Sequence, residues 1–161
     1  MNLDLMIKRG QFPWRPRPEA TELDVWHEYE IPLTGTFRLN DQSVLFTQVL
    51  ESSHGLSAWA YVCLEPEEAD QTSVITFASA DEMREFVEAT FRGREAVLTL
   101  AKDDRIIDQW TRNRVEEDLS ATVEEFLNGI IRSVNEVSDP EQRIRAKFAG
   151  LEAAGSELAP A

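Results

Sequence analysis

Cysteine occurs once in these 161 residues, at Cys63. No disulfide can therefore form within the chain, and no multi-cysteine zinc or iron–sulfur site can be built. Histidine occurs twice, at His27 and His54, with no spacing that ties them to a third metal ligand. Long apolar runs are missing. The longest, Ala58 to Leu64, has seven residues, against about twenty for a membrane-crossing helix. The opening MNLDLMIK has an early acid and no sustained apolar stretch, so it does not read as a secretory signal. Positive charge is scarce: 16 Lys and Arg stand against 30 Asp and Glu, a net charge of −14. Such a chain repels phosphate backbones and anionic lipid, which argues against direct nucleic-acid binding and against a membrane surface. There is no Gly-rich phosphate loop, no nucleophile elbow and no His-Glu-x-x-His. These absences point to a cytoplasmic protein with no cofactor. The preference for Arg over Lys, 13 to 3, fits a GC-rich bacterial genome.

What is present suits one globular domain. The mass is 18.3 kDa and 42% of residues are apolar. A chain of this size buries roughly 70% of its unfolded surface and needs neither disulfide nor metal to fold. Charge is unevenly placed. Residues 1–17 carry Lys8, Arg9, Arg15 and Arg17 against Asp4, a local +3, so the remainder carries −17. In this basic stretch Pro13, Pro16 and Pro18 surround Trp14. Proline lacks the N–H and holds its neighbour extended, so residues 1–20 are expected to form an extended arm. Leu3, Leu5 and Ile7 alternate with polar residues and Met6, a short-strand pattern.

The middle of the chain reads as β structure. Val25 to Leu33 forms one expected strand. Ser43–Leu50 and Leu56–Leu64 flank a turn containing Gly55, an expected hairpin. In its second arm Trp59, Tyr61 and Cys63 alternate with Ala58, Ala60, Val62 and Leu64, so both faces are apolar and the strand is central. Glu65 to Asp70 reads as an acidic loop and Thr72 to Ala78 as a further strand. Ser79 or Asp81 then caps a helix with Met83, Phe86, Val87, Thr90 and Phe91 on one side, ended by Gly93. Strands at Glu95–Ala101 and Arg105–Trp110 flank a turn at Lys102-Asp103-Asp104. Glu116–Val137 is the longest helix. Ser138-Asp139-Pro140-Glu141 opens a last one bearing Ile144, Phe148 and Leu151. The expected fold is α+β: a mostly antiparallel sheet of five or six strands, helices on one face and a C-terminal helix pair. Residues 21–152 form that domain and 153–161 a disordered tail. The order of strands, helix, hairpin and helix is similar to that of small acidic secretion chaperones, a likeness of fold order that assigns no function.

Chemistry-bearing residues are few. His27, with Glu28 and Glu30 nearby, can be read as a general base or as an ordinary polar residue at a strand edge. Cys63 lies among apolar neighbours, which raises a thiol's pKa and makes it inert. Glu65, Glu67, Glu68 and Asp70 lack the glycine and distal glutamate of a calcium loop. Two places suit a partner. The arm offers Phe12, Trp14, Arg15 and Arg17 around a PxxP pattern, which would dock on another protein or fold back on its own domain. Trp110, followed by Arg112 and Arg114, combines residue types favoured at interface anchors, or closes the core under the long helix. The favoured reading is a small acidic, non-enzymatic interaction protein of chaperone, adaptor, inhibitor or immunity type, binding another protein or a second copy of itself. One alternative is a ligand-binding or hydrolytic enzyme with a pocket of Trp26, Trp59, Tyr61, Glu28 and Glu30. Another is an acidic mimic of nucleic acid.

Overall fold

The computed structural model describes residues 7–52 and 54–135, with side chains described through Gly129. The helix expected after Ser138, its pairing with the long helix, the tail 153–161 and nearly all of the strand expected over residues 3–7 lie outside the described residues.

Six strands form one antiparallel sheet in chain order: β1 (Thr21–Tyr29), β2 (Ile31–Leu39), β3 (Gln42–Glu51), β4 (Leu56–Cys63), β5 (Ala96–Lys102) and β6 (Arg105–Arg112). Helices α1 (Pro66–Thr72) and α2 (Ala80–Phe91) are inserted between the neighbours β4 and β5, and α3 (Leu119–Asn135) follows β6. The class is α+β. Tight turns make this meander possible. Asn40 at φ 55° reverses β2 into β3, and Asp103 and Asp104 at φ 48° and 68° reverse β5 into β6. Asn and Asp tolerate the left-handed region that two-residue hairpins require.

Three expectations need correcting. Val25–Leu33 is not one strand but the junction of β1 and β2, with Glu30 at φ 62° as the reversal. β-forming residues on both sides, and no Gly, Asn or Asp at the apex, conceal the turn. The acidic loop at Glu65–Asp70 is mostly helix α1. Pro66 occupies the first turn, where its missing N–H costs nothing, and Glu67 and Glu68 meet the positive end of the helix dipole. The Glu68 carboxylate also accepts the Glu65 N–H at 3.0 Å. Finally, Thr72–Ala78 forms no strand; its apolar Phe77 packs sideways on Trp26 and Phe86.

The sheet carries two cores because β4 is apolar on both faces. Ala58, Ala60, Val62 and Leu64 join Leu45, Leu98 and Leu100 in one cluster with Val87 and Phe91 of α2 and Leu119, Val123 and Leu127 of α3. Trp59 and Tyr61 join Phe37, Phe46 and Val97 in the other, against which Ile7 and Trp14 pack. β4 is thus a central strand. α2 starts as its sequence suggests: the Ser79 hydroxyl accepts the Glu82 N–H at 3.1 Å, and Met83, Val87, Thr90 and Phe91 are its buried stripe. α3 begins at Leu119 rather than Glu116, because Asp118 caps it by accepting the Ala121 N–H at 2.8 Å.

Candidate interaction site

Residues 8–20 of the basic start form a strap laid on the chain's own sheet. Three tight turns shape it: Gln11 N–H to Lys8 O, Arg15 N–H to Phe12 O and Ala20 N–H to Arg17 O. It is pinned beside β6, where Gly10 N–H donates to Ile106 O at 2.9 Å and Ile106 N–H to Gln11 O at 3.0 Å. Pro13 and Pro16 are buried. Trp14 packs on Trp59 with ring centroids 6.3 Å apart, and the Tyr61 hydroxyl donates to Pro13 O at 2.7 Å. Burial raises the Tyr61 pKa far above the ordinary phenol value, so the hydroxyl stays a donor. The strap's cations face acids and carbonyls of this chain. Arg9 lies 3.4 Å from Asp108, Arg17 lies 3.3 Å from Glu19, and Arg15 Nε donates to Ala20 O. Phe12 remains 45% exposed, stacked on Trp14 at 4.9 Å.

The second sequence candidate sits on the other side of the sheet. Trp110 stacks on Phe126 of α3 with centroids 5.5 Å apart and planes 12° from parallel. It closes the core under the long helix. Arg112 reaches Glu125 at 3.6 Å and donates to Arg114 O, while Arg114 itself is exposed. Trp14 and Trp110 belong to opposite clusters, so the fold does not bring the two candidate groups together. Nor does it assemble the aromatic pocket of the enzyme reading. Trp59 and Tyr61 are fully buried in one cluster, Trp26 packs against the other, and His27, Glu28 and Glu30 are exposed. Burial first of all pushes the Cys63 thiol up to about 11, which leaves it protonated and unreactive at neutral pH. Among the described residues no group of three or more His, Cys, Asp or Glu is placed to hold a metal ion, and no helix is long and apolar enough to cross a membrane.

The sheet edge that sequence reasoning passed over is the most open element. Among the described residues β1 pairs with β2 alone, and seven of its nine residues are exposed. Beyond its ladder with β2, it is anchored by Trp26, which meets Phe77 at 5.3 Å and Phe86 at 5.9 Å, both edge to face. Three register shifts break its ladder with β2. Leu23 is 41% and Tyr29 71% exposed. From Glu19 to Glu30 the chain carries Glu19, Glu22, Asp24, Glu28 and Glu30 and no Lys or Arg. Arg38 of β2 approaches Glu22 at 3.8 Å across exposed surface. Like charges opposed on neighbouring strands repel, so a negative edge of this kind disfavours pairing with a strand of the same sign. The signal was present in the sequence: a run of acids alternating with Leu23, Val25 and Tyr29.

Comparison with protein-family models, with curated proteins and with solved structures finds no match.

Proposed function

We propose that this protein is a non-enzymatic binding module that takes an extended, Lys- or Arg-bearing segment of another protein along β1. One observation carries the reading: the strand is unpaired on its outer side among the described residues, and its five neighbouring acids have no Lys or Arg among them. Main-chain hydrogen bonds to an open edge supply affinity in strand addition, and alternate side chains supply specificity. Here alternate positions offer acids and exposed Leu23 and Tyr29, which suits a segment alternating cations with apolar residues. The net charge of −14 draws such a segment in over longer range. The bulged ladder keeps the edge from polymerising and leaves a shaped, charged partner favoured over a flat one. The strap, which holds Trp14 against Trp59, supports the scaffold rather than reaching for the partner. The cytoplasm remains the compartment in which we place this binding.

A synthetic extended peptide alternating Lys with Val, and its Glu-for-Lys counterpart, test the reading by NMR titration. The Lys peptide is expected to shift the amides of residues 21–30 saturably, and the Glu peptide to leave them unmoved. The double reversal Asp24→Lys with Glu28→Lys is expected to weaken the Lys peptide about tenfold or more, with affinity falling as salt rises. Phe12→Ala is expected to change nothing. Equal binding of the two peptides, or shifts confined to residues 8–18, overturns the reading.

A further inference from the structure

A cavity of about 230 Å³ lies between the sheet and the meeting point of α2 and α3. The sequence explains why it is there. One register row crosses the sheet as His27, Thr34, Thr47, Ala60, Leu98 and Trp110. Thr34, Thr47 and Ala60 of that row are small, which leaves space beside the places where the helices pack on the sheet. Val49, Met83, Val87 and Leu119 give the space an apolar wall.

Its polar wall is rich in acceptors. The Thr34 and Thr47 hydroxyls, on residues 4% and 8% exposed, bond to each other at 2.9 Å. A proton of that pair also reaches Gln48 O at 3.4 Å. The Glu88 carboxylate accepts from Leu119 N–H, at 3.1 Å through one oxygen and 3.4 Å through the other. A carboxylate has about four acceptor sites, so one N–H leaves most of its capacity open. Arg84 lines the rim, and its guanidinium pairs with Asp81 on its own helix. The other charges that bear on Glu88 are Asp118 at the start of α3, which opposes its ionisation, and Arg92 at the end of α2, which favours it.

We propose that this cavity binds a small primary ammonium with a short apolar chain, its head on Glu88 and the Thr34–Thr47 pair, its chain along Met83 and Val87. An ammonium brings three donors and no acceptor, which complements a wall with surplus acceptors. The charge also matches, because a partly desolvated carboxylate regains in a charge-assisted bond what it loses in hydration. The site is independent of the β1 edge and would persist if that edge bound nothing. Desolvation holds the Glu88 pKa above the ordinary carboxylate range, so affinity rises with pH as Glu88 loses its proton.

Titration with n-butylammonium, n-butanol and butyrate, followed by NMR, decides the matter. Butylammonium is expected to shift the Met83 methyl and the Val87 and Leu119 amides saturably, and the other two to fail. Glu88→Gln, which keeps an acceptor for Leu119 N–H, is expected to weaken butylammonium about tenfold or more. Ser120→Tyr, at an exposed position on the rim, is expected to block entry while leaving the fold intact. The pair Asp24→Lys with Glu28→Lys is expected to leave this binding unchanged. The proposal is overturned if butanol binds as well as butylammonium, if Glu88→Gln or Ser120→Tyr binds as the parent does, or if the shifts scatter over surface acids.

Discussion

The Tyr61 hydroxyl, in the middle of the central strand and fully buried, donates to the Pro13 carbonyl 2.7 Å away, 48 residues earlier in the chain. That bond joins the proline-rich start to the core it covers. Thr99 on β5 lies 3.3 Å from the same oxygen, so the hydroxyl has partners both above and beside it.

Tyr61→Phe leaves the Pro13 carbonyl without its donor in a buried place. The cost expected is about 1–2 kcal/mol, since an orphaned buried acceptor loses its hydration without recompense. Urea denaturation measures it. Trypsin is a second measure: cleavage after Lys8 and Arg9, the strap's basic residues not followed by proline, is expected to quicken in Tyr61→Phe as the strap opens locally, before the sheet unfolds. Unchanged cleavage would show that the strap's hold rests on Trp14 and the bonds to β6 rather than on the Tyr61 hydroxyl.

Trp110 and Phe126 form the clearest contact between the sheet and α3. Trp110→Ala is expected to cost about 2–3 kcal/mol, less than for a fully buried tryptophan because the ring is only partly covered. Calorimetry or urea midpoints give the number. Binding of the Lys peptide at β1 is expected to be retained at temperatures where the variant is folded, because the stack lies at the opposite edge of the sheet.

Much of this was legible in the sequence, and particular residues show why. The alternation of Trp59, Tyr61 and Cys63 with Ala58, Ala60, Val62 and Leu64 admits one answer, a strand buried on both sides. The Ser79 cap and Asp103-Asp104 turn are local signals whose physics does not depend on the rest of the fold. What stayed hidden depends on distant partners. Glu68 is a helical residue because it caps its own helix and meets Arg94, 26 residues later, in a two-pronged ion pair. Phe77 looks like a strand residue until Trp26 is placed beside it. Trp14 reads equally as a docking residue and as a cover for Trp59, and only the register of β4 decides. The β1 edge escaped notice for the same reason: openness belongs to the strand order, not to any residue.

At Gly35 the backbone of β1 lies close over β2. A Cβ at this position would stand 2.0 Å from the Asp24 carbonyl oxygen and 3.1 Å from the Val25 Cα. These are backbone atoms with no rotamer to retreat into, so Gly35→Ala has to push β1 away. The expected cost is about 1–3 kcal/mol. Hydrogen exchange is expected to quicken for residues 21–29 ahead of β3 and β4. Loss of Lys-peptide binding in this variant, with β3 to β6 still protected, would locate the peptide on β1.

Two glutamates give stability opposite dependences on pH. Arg94 holds the Glu68 carboxyl below its ordinary value, chiefly through the side-chain hydrogen bonds. A depressed acid stabilises the fold at pH values above its unfolded pKa, and that share is lost as pH falls toward the folded value. Glu88 is raised, first by desolvation. The folded state then holds its proton more tightly than the unfolded chain, so its share is complete below the unfolded pKa and is lost as pH rises through the folded one. Urea midpoints measured from neutral pH to mildly acidic pH are expected to separate them. Glu68→Gln removes part of the parent's acid-side loss and makes its curve flatter. Glu88→Gln removes the gain that Glu88 provides on acidification, so its stability falls more steeply than the parent's over the interval just above the ordinary carboxylate pKa. Parallel curves for parent and Glu88→Gln would mean that the carboxylate is fully hydrated, and that neither the α3 cap nor the cavity wall desolvates it.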